Sequence, residues 1–162
     1  TRKTISDNSV AICHENKDCF IFNATKQALL FACNSGHLAV AQLVTERFQL
    51  TATDARADNN ISLHCALLRA CINGHLDVAK WLTDHFQLTA ADAILDNNAV
   101  LRQTCMYGHF DVAKWLTDRF QLTAADARAK NNFALRWACK RGHDNVVDWL
   151  KQRFDITLNF YG

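Results

Sequence analysis

Cysteine and histidine recur together in this sequence, and a thiolate with an imidazole is a ligand pair that zinc favours. Four times a cysteine stands four residues before a histidine, as Cys105 does before His109. Two ligands do not complete a tetrahedral site, and neighbouring packed helices lie about 10 Å apart, too far for their equivalent residues to share one metal ion. We therefore expect the cysteine to be a small core residue and the histidine ring to hydrogen-bond the backbone of its own turn. On this interpretation the protein holds no metal and no cofactor.

Other arrangements of reactive side chains are possible. Cys13, His14 and Cys19 could form part of a metal site with a fourth ligand elsewhere, although their spacing matches no familiar zinc finger. A nucleophilic cysteine would need an oriented third group and an oxyanion site, and no occurrence of the Cys-His pattern differs chemically from the others. The sequence also has no Gly-rich phosphate loop, no His-Glu-x-x-His and no Gly-x-Ser-x-Gly motif. These observations predict no catalytic residues and a protein that is not an enzyme.

Composition narrows the classes of partner. The 18 basic and 16 acidic residues are spread along the 162-residue chain, and the net charge of +2 indicates neither a nucleic-acid nor an anionic-membrane partner. The longest apolar stretches, such as residues 28–33, are far shorter than the roughly 18 residues of a membrane span, so we expect no membrane insertion. Residues 1–9 show no signal peptide, and the seven cysteines, four of them at repeat positions, favour reduced thiols. We expect an intracellular location, in the cytoplasm or within a virus particle or host cell.

An internal repeat supplies the elements that must position these residues. A Gly-His pair occurs four times, at spacings of 38, 34 and 34 residues: Gly36-His37, Gly74-His75, Gly108-His109 and Gly142-His143. Each pair has a cysteine three residues before its glycine and a phenylalanine twelve residues after it. Residues 75–93 and 109–127 are identical at 17 of 19 positions. A period of this length, carried by a whole unit, indicates stacked structural repeats.

Each unit has the pattern of two short helices. Asn131-Asn132 is expected to cap the first helix, which stops at Gly142 because glycine adopts a positive φ without a Cβ clash. In the second helix, four apolar residues share one stripe at spacings of three and four: Val78, Ala79, Leu82 and Phe86. Tryptophans at one position of this helix fit core filling better than a stacking ladder for bases or sugars: Trp81, Trp115 and Trp149. Neither helix can bury its stripe alone, so three or more units must stack.

These features together resemble the ankyrin repeat, whose period is about 33 residues. The resemblance rests on the Gly-His pair and the Leu-Asp-Val-Ala-Lys-Trp-Leu segment that follows it, and it covers roughly residues 26–154. Asn-Asn-x-Ala-Leu stands where the usual repeat has Thr-Pro-Leu-His, a style associated with large DNA viruses and protists. The resemblance implies an all-α, ankyrin-like helical-repeat solenoid of about four repeats. We place an N-terminal cap or partial repeat at residues 1–24 and the repeats at about 25–58, 59–96, 97–130 and 131–162.

Three departures from the usual ankyrin pattern change the expected architecture. The glycine of the β-hairpin is missing, and Thr-x-x-Asp segments that begin at Thr51, Thr89 and Thr123 predict that short helical turns replace the hairpins. The 38-residue spacing adds four residues at 61–64, close to one helical turn, so that first helix should be longer. The last second helix has a polar profile that suits a cap: Asn145, Asp148, Lys151 and Gln152.

The resemblance implies that a protein partner binds the concave surface formed by the inter-repeat fingers and the exposed side of the first helices. The two residues before each glycine would face it: Asn34 and Ser35, Ile72 and Asn73, Met106 and Tyr107, Lys140 and Arg141. They vary while the scaffold repeats, which fits either recognition or free drift of solvent-exposed positions. Arginine and tyrosine are common in binding hot spots, and Ile94-Leu95 brings apolar side chains where other repeats have Arg and Ala. The predicted partner-binding set is therefore Ile72, Asn73, Ile94, Leu95, Arg102, Met106, Tyr107, Arg136, Lys140 and Arg141.

Two functions fit this sequence. The first is a protein-protein interaction scaffold or adaptor, in which a preformed face binds a macromolecular partner at little ordering cost. The second is a structural cement or filler subunit of a larger viral or organellar assembly. A cement protein would also bury the outer positions of the second helices, such as Asp77, Lys80 and Asp111, whereas an adaptor would leave them in water.

Overall fold

The structure of the protein, a computed structural model, describes residues 25–51 and 61–157. Within these two ranges all regular secondary structure is helical. The helices are α1 (25–34), α2 (Leu38–Arg47), α3 (Ile61–Ile72), α4 (Leu76–His85), α5 (Ala90–Ala93), α6 (Leu95–Met106), α7 (Phe110–Phe120), α8 (Ala124–Ala127), α9 (Ala129–Arg141) and α10 (Asp144–Phe154). The prediction of an all-α helical-repeat solenoid is confirmed.

Four units follow one another, and each is named here by its glycine: Gly36 (unit 1), Gly74 (unit 2), Gly108 (unit 3) and Gly142 (unit 4). Each unit has a first helix, a turn at the glycine and a second helix, and a short third helix follows in units 2 and 3. The first helices pack side by side, α3 on α6 and α6 on α9, and the second helix α2 packs on α4. Their buried apolar side chains form one continuous core, against which Trp81, Trp115 and Trp149 pack as partly buried residues.

Short helices stand where the usual repeat has β-hairpins, as the Thr-x-x-Asp segments predict. In α5 both the backbone N–H and the hydroxyl of Thr89 donate to Asp92 Oδ2, at 2.8 Å each. Thr123 and Asp126 repeat this capping box at α8. The corresponding segment after Thr51 lies outside the described residues, as do the N-terminal cap at 1–24 and its Cys13, His14 and Cys19.

A left-handed turn lies within the first turn of α6 and of α9, so the regular part of each first helix begins after residues 98 and 132. Residues 96–98 have φ of 49 to 60°, and residues 130–132 have φ of 50 to 57°, a region that Asn and Asp tolerate better than most residues. The predicted N-cap role of Asn131-Asn132 is wrong, because both residues have the left-handed backbone of this turn and the buried Oδ1 of Asn132 accepts no hydrogen bond. In unit 2, where the sequence has four extra residues, α3 is an unbroken helix of 12 residues.

The second helices bury one edge against the preceding unit. Phe86 of unit 2 is 0% exposed and its equivalent in unit 4, Phe154, is 5% exposed, but Phe48 of unit 1 is 49% exposed. On the opposite edge, units 1 to 3 have a buried threonine at one repeat position: Thr45, Thr83 and Thr117. In unit 4 this position holds the exposed Lys151. The N-terminal edge of the described stack is therefore apolar, and the C-terminal edge is polar, as the cap pattern predicts.

Candidate interaction surface

The repeated cysteines are core residues. Cys33, Cys71 and Cys105 are 0% exposed. Burial raises the pKa of the Cys33 thiol to about 12 and the pKa of the Cys71 and Cys105 thiols further, so all three are protonated at neutral pH. Across residues 25–51 and 61–157, no group of three His, Cys, Asp or Glu side chains is arranged to hold a metal ion. These thiols act by filling space.

Three of the repeated histidines contact the preceding unit rather than their own turn: His75, His109 and His143. His109 Nε2 donates to Ile72 O of unit 2 at 2.9 Å, and a Cβ placed on Gly74 would lie 2.6 Å from His109 Nδ1. The same ring-on-glycine contact joins the other neighbouring units: His75 on Gly36 and His143 on Gly108. The prediction that the ring bonds its own turn is wrong, because backbone amides already occupy carbonyls of that turn, as His109 N does Thr104 O. The histidine fastens one unit to the next.

The ends of the first helices carry the exposed residues that vary between units, and we call this surface the first-helix face. It consists of the accessible positions of the last two turns of each first helix, and its most variable members are the two residues before each glycine: Asn34 and Ser35, Ile72 and Asn73, Met106 and Tyr107, Lys140 and Arg141. Asn73, Lys140 and Arg141 are exposed, and Tyr107 is 43% exposed. Ile72 is half-buried, and Met106 is 9% exposed. The inclusion of Met106 in the partner-binding set was therefore wrong, because its side chain packs inward.

Arg102 and Arg136 hold the left-handed turns of their own units. Arg102 Nε donates to Asn97 O at 2.8 Å and its Nη2 to Asp96 O at 2.9 Å. Arg136 makes the equivalent bonds to the carbonyls of residues 131 and 130, at 2.8 and 3.4 Å. Arg102 is 3% exposed and lies 4.9 Å from the ring centroid of Phe133 in unit 4. Its predicted role in partner binding is wrong, because the next unit covers it; Arg136, with no unit over it among the described residues, is exposed.

Replacing Arg102 by methionine is expected to lower the free energy of unfolding by about 2 kcal/mol, because two part-buried hydrogen bonds from a charged donor are lost. Burial lowers the pKa of Arg102, and Asp96 at 3.7 Å opposes that shift. The control is Arg136→Met, which removes an exposed side chain from the equivalent turn of unit 4 and should cost less than about 1 kcal/mol. Urea denaturation followed by circular dichroism measures both, and equal losses would contradict the assignment.

Ile94 and Leu95 lie apart from the other predicted residues. Ile94 is 41% exposed and Leu95 is half-buried. They stand at the start of the left-handed turn, so the helical segment 99–106, about 12 Å long, separates them from Tyr107. They do not join the cluster described next.

An aromatic and basic cluster spans units 3 and 4 of the first-helix face. The Arg141 guanidinium lies 4.8 Å from the ring centroid of Tyr107, and Lys140 Nζ lies 4.6 Å from that of Trp137. Phe133 and Trp137 are 5.7 Å apart, ring centre to ring centre. Sequence reasoning missed Trp137, although it precedes Lys140 and Arg141 by three and four residues, the spacing that makes helical neighbours.

None of the described helices combines the length and the apolar character that crossing a bilayer requires.

Residues 67–160, more than half of the chain, match a family model described as ankyrin repeats, in three copies. No curated protein and no solved structure matches the chain. The matched segment includes the whole aromatic and basic cluster.

Proposed function

Because the chain belongs to the ankyrin repeat family, we propose that it is a protein-interaction scaffold or adaptor that binds a macromolecular partner through its first-helix face. Ankyrin repeats generally mediate protein-protein interaction and are typically not enzymes. The observation that carries the proposal is that the Gly, His, Cys and Phe of the scaffold repeat in every unit, while the exposed ends of the first helices differ. We propose unit limits of about 25–58, 59–96, 97–130 and 131–162.

The residues proposed to contact the partner are Asn73, Tyr107, Lys140 and Arg141, with Ile72 and Arg136 at the margin. Tyr and Arg dominate many binding hot spots because they offer large contact area with polar ends. Arg141 and Tyr107 already lie on one another, so little side-chain freedom is lost on binding. A preformed surface of this kind supports a recognition role without any change in the scaffold. The five free cysteines of the described chain support an intracellular location.

A cement or filler subunit of a larger assembly is the second candidate, and one observation favours it. The apolar edge of unit 1 leaves large side chains uncovered: Val40 at 44%, Leu43 at 63% and Phe48 at 49% exposure. A subunit packed by several faces would cover this edge together with the outer surface of the second helices. The adaptor remains the better supported function because units 2 and 3 share almost the whole second helix, residues 76–86 and 110–120, and differ at the ends of their first helices.

Photo-crosslinking tests the two functions against each other. A benzophenone amino acid is placed at Asn73 or Tyr107 on the first-helix face, and at Lys80 or Lys114 on the outer side of the second helices. In cells of the source, an adaptor gives crosslinks to another protein from the first pair only and elutes as a free monomer after mild purification. Crosslinks of equal yield from all four positions, with elution in a large complex, would contradict the adaptor and favour the cement subunit.

A further inference from the structure

Lys140 and Arg141 carry positive charge that no carboxylate in the described part of the chain neutralises. Two other basic side chains of unit 4 are engaged within the fold: Lys130 Nζ lies 3.5 Å from Asp96 Oδ1, and Arg136 donates to backbone carbonyls. Lys140 and Arg141 instead lie on aromatic rings, which hold their charged ends at fixed places on the surface. Two such cations, side by side on a rigid helix, suit carboxylates as partners.

The first-helix face changes character along the stack. At unit 1, Phe31 is 68% exposed beside Leu30, and Arg69 of unit 2 lines the same hollow. Phe31 and Trp137 occupy the same position, two residues before the repeated cysteine, so the hollow and the cluster lie on the same side of the stack. Where units 1 and 2 meet, Asn73 Nδ2 donates to Asn34 Oδ1 at 3.3 Å, so this part of the face is polar. The face thus offers apolar side chains beside a single arginine at one end, and two adjacent cations with aromatic rings at the other.

We propose that this face receives an extended acidic protein segment, with its carboxylates over units 3 and 4 and an apolar side chain in the hollow beside Phe31. The inference rests on the proposed function and specifies its partner. Neighbouring first helices are about 10 Å apart, so three spacings span about 30 Å. An extended chain rises about 3.3 Å per residue, and about nine residues therefore cover the face.

A nucleic acid fits this distribution less well than a protein segment does. Phosphates follow one another along a strand, so a strand presents negative charge to the whole length of its site. Here two adjacent cations stand at one end, and the other end offers an exposed phenylalanine with a single arginine, Arg69, beside it. A polypeptide can carry acidic residues at one end and an apolar side chain at the other, which matches both.

Fluorescence anisotropy with synthetic probes tests the proposal on the full chain. The probe is a labelled peptide of about ten residues with four glutamates at one end and a leucine at the other, made in both chain directions. We expect one direction to bind with a Kd of about 1 to 100 µM, because an unstructured peptide loses ordering entropy on binding. Replacing its glutamates by glutamine, or the protein's Lys140 and Arg141 by glutamate, should weaken binding at least about tenfold.

Matched controls keep the result interpretable. Lys80→Glu with Lys114→Glu makes the same charge change on the outer side of the second helices, and it should alter Kd less than about twofold because the sites are screened from one another. Phe31→Ser should weaken the leucine-bearing probe but not a probe with serine in place of the leucine. A single-stranded oligonucleotide of equal length that binds more tightly than the acidic peptide would overturn the proposal.

Failure of this inference is separable from failure of the proposed function. If crosslinks still form only from Asn73 and Tyr107 but glutamate and glutamine probes bind equally or not at all, the partner is not acidic and the adaptor function stands. If crosslinks form instead from Lys80 and Lys114, the first-helix face is not the binding surface, and both the adaptor function and the acidic segment are wrong.

Discussion

Replacing Phe86 by alanine is expected to lower the free energy of unfolding by about 4 kcal/mol, the largest effect among the changes considered. Phe86 is 0% exposed, and its ring packs at right angles on Trp81 and His85, 6.1 and 4.8 Å away between ring centroids. Removing the ring leaves a cavity, which we expect where unit 2 meets unit 1 because the equivalent Phe48, with no described unit before it, is exposed. Because each unit depends on contacts with its neighbours for stability, the loss should separate unit 1 from the rest or unfold the chain.

The matched control is Phe48→Ala, which removes the same side chain from the same position of unit 1. Phe48 is 49% exposed, so the cost should be about 1 kcal/mol or less. Chemical denaturation by urea, followed by tryptophan fluorescence and circular dichroism, gives both values. Similar losses at the two positions would show that burial of the phenylalanine does not come from the preceding unit.

Gly74→Ala is expected to cost about 3 kcal/mol, from two sources. Gly74 has a φ of +76°, where an alanine loses about 1 kcal/mol to steric clash with its own backbone. The added Cβ would also lie 2.6 Å from His109 Nδ1, and the ring cannot retreat without breaking its 2.9 Å hydrogen bond to Ile72 O. Overpacking and the lost hydrogen bond together add about 2 kcal/mol.

Gly142→Ala separates these two sources. Gly142 has nearly the same φ, +73°, but no atom of the described chain lies within 4 Å of its added Cβ. Alanine there should cost only the backbone part, about 1 kcal/mol. The difference between the two variants in urea denaturation measures the histidine contact. If both glycines gave the same loss, the ring of the following unit would contribute nothing to stability.

Local sequence signals were enough for much of the fold. The short helices at Ala90–Ala93 and Ala124–Ala127 follow from a Thr-x-x-Asp capping box, whose bonds form within four residues. The left-handed turns could not be predicted in the same way. Asparagine is common both at an N-cap and in the left-handed conformation. Which of the two forms here depends on Arg102, whose side chain donates to Asn97 O, five residues before it.

The interaction surface was harder to predict because the burial of a side chain in a stack depends on whether another unit packs against it. Arg102 and Arg136 have the same residue type at the same position, yet one is 3% exposed and the other is exposed. Sequence pattern alone assigns them the same role. Tyr107 and Arg141, in contrast, belong to adjacent units, and the predicted period placed them on one face, where their side chains lie 4.8 Å apart.

The ring-on-glycine contact also bears on how such a chain gains and loses length in evolution. Its two members belong to successive units, since His109 meets Gly74 and His143 meets Gly108. Deleting or duplicating one whole 34-residue period therefore still places a histidine against the glycine of the unit before it, whichever residue the deleted or duplicated stretch begins at. Unequal recombination need not respect unit boundaries to leave a foldable product. Residues 75–93 and 109–127, identical at 17 of 19 positions, are what a recent event of this kind would leave behind.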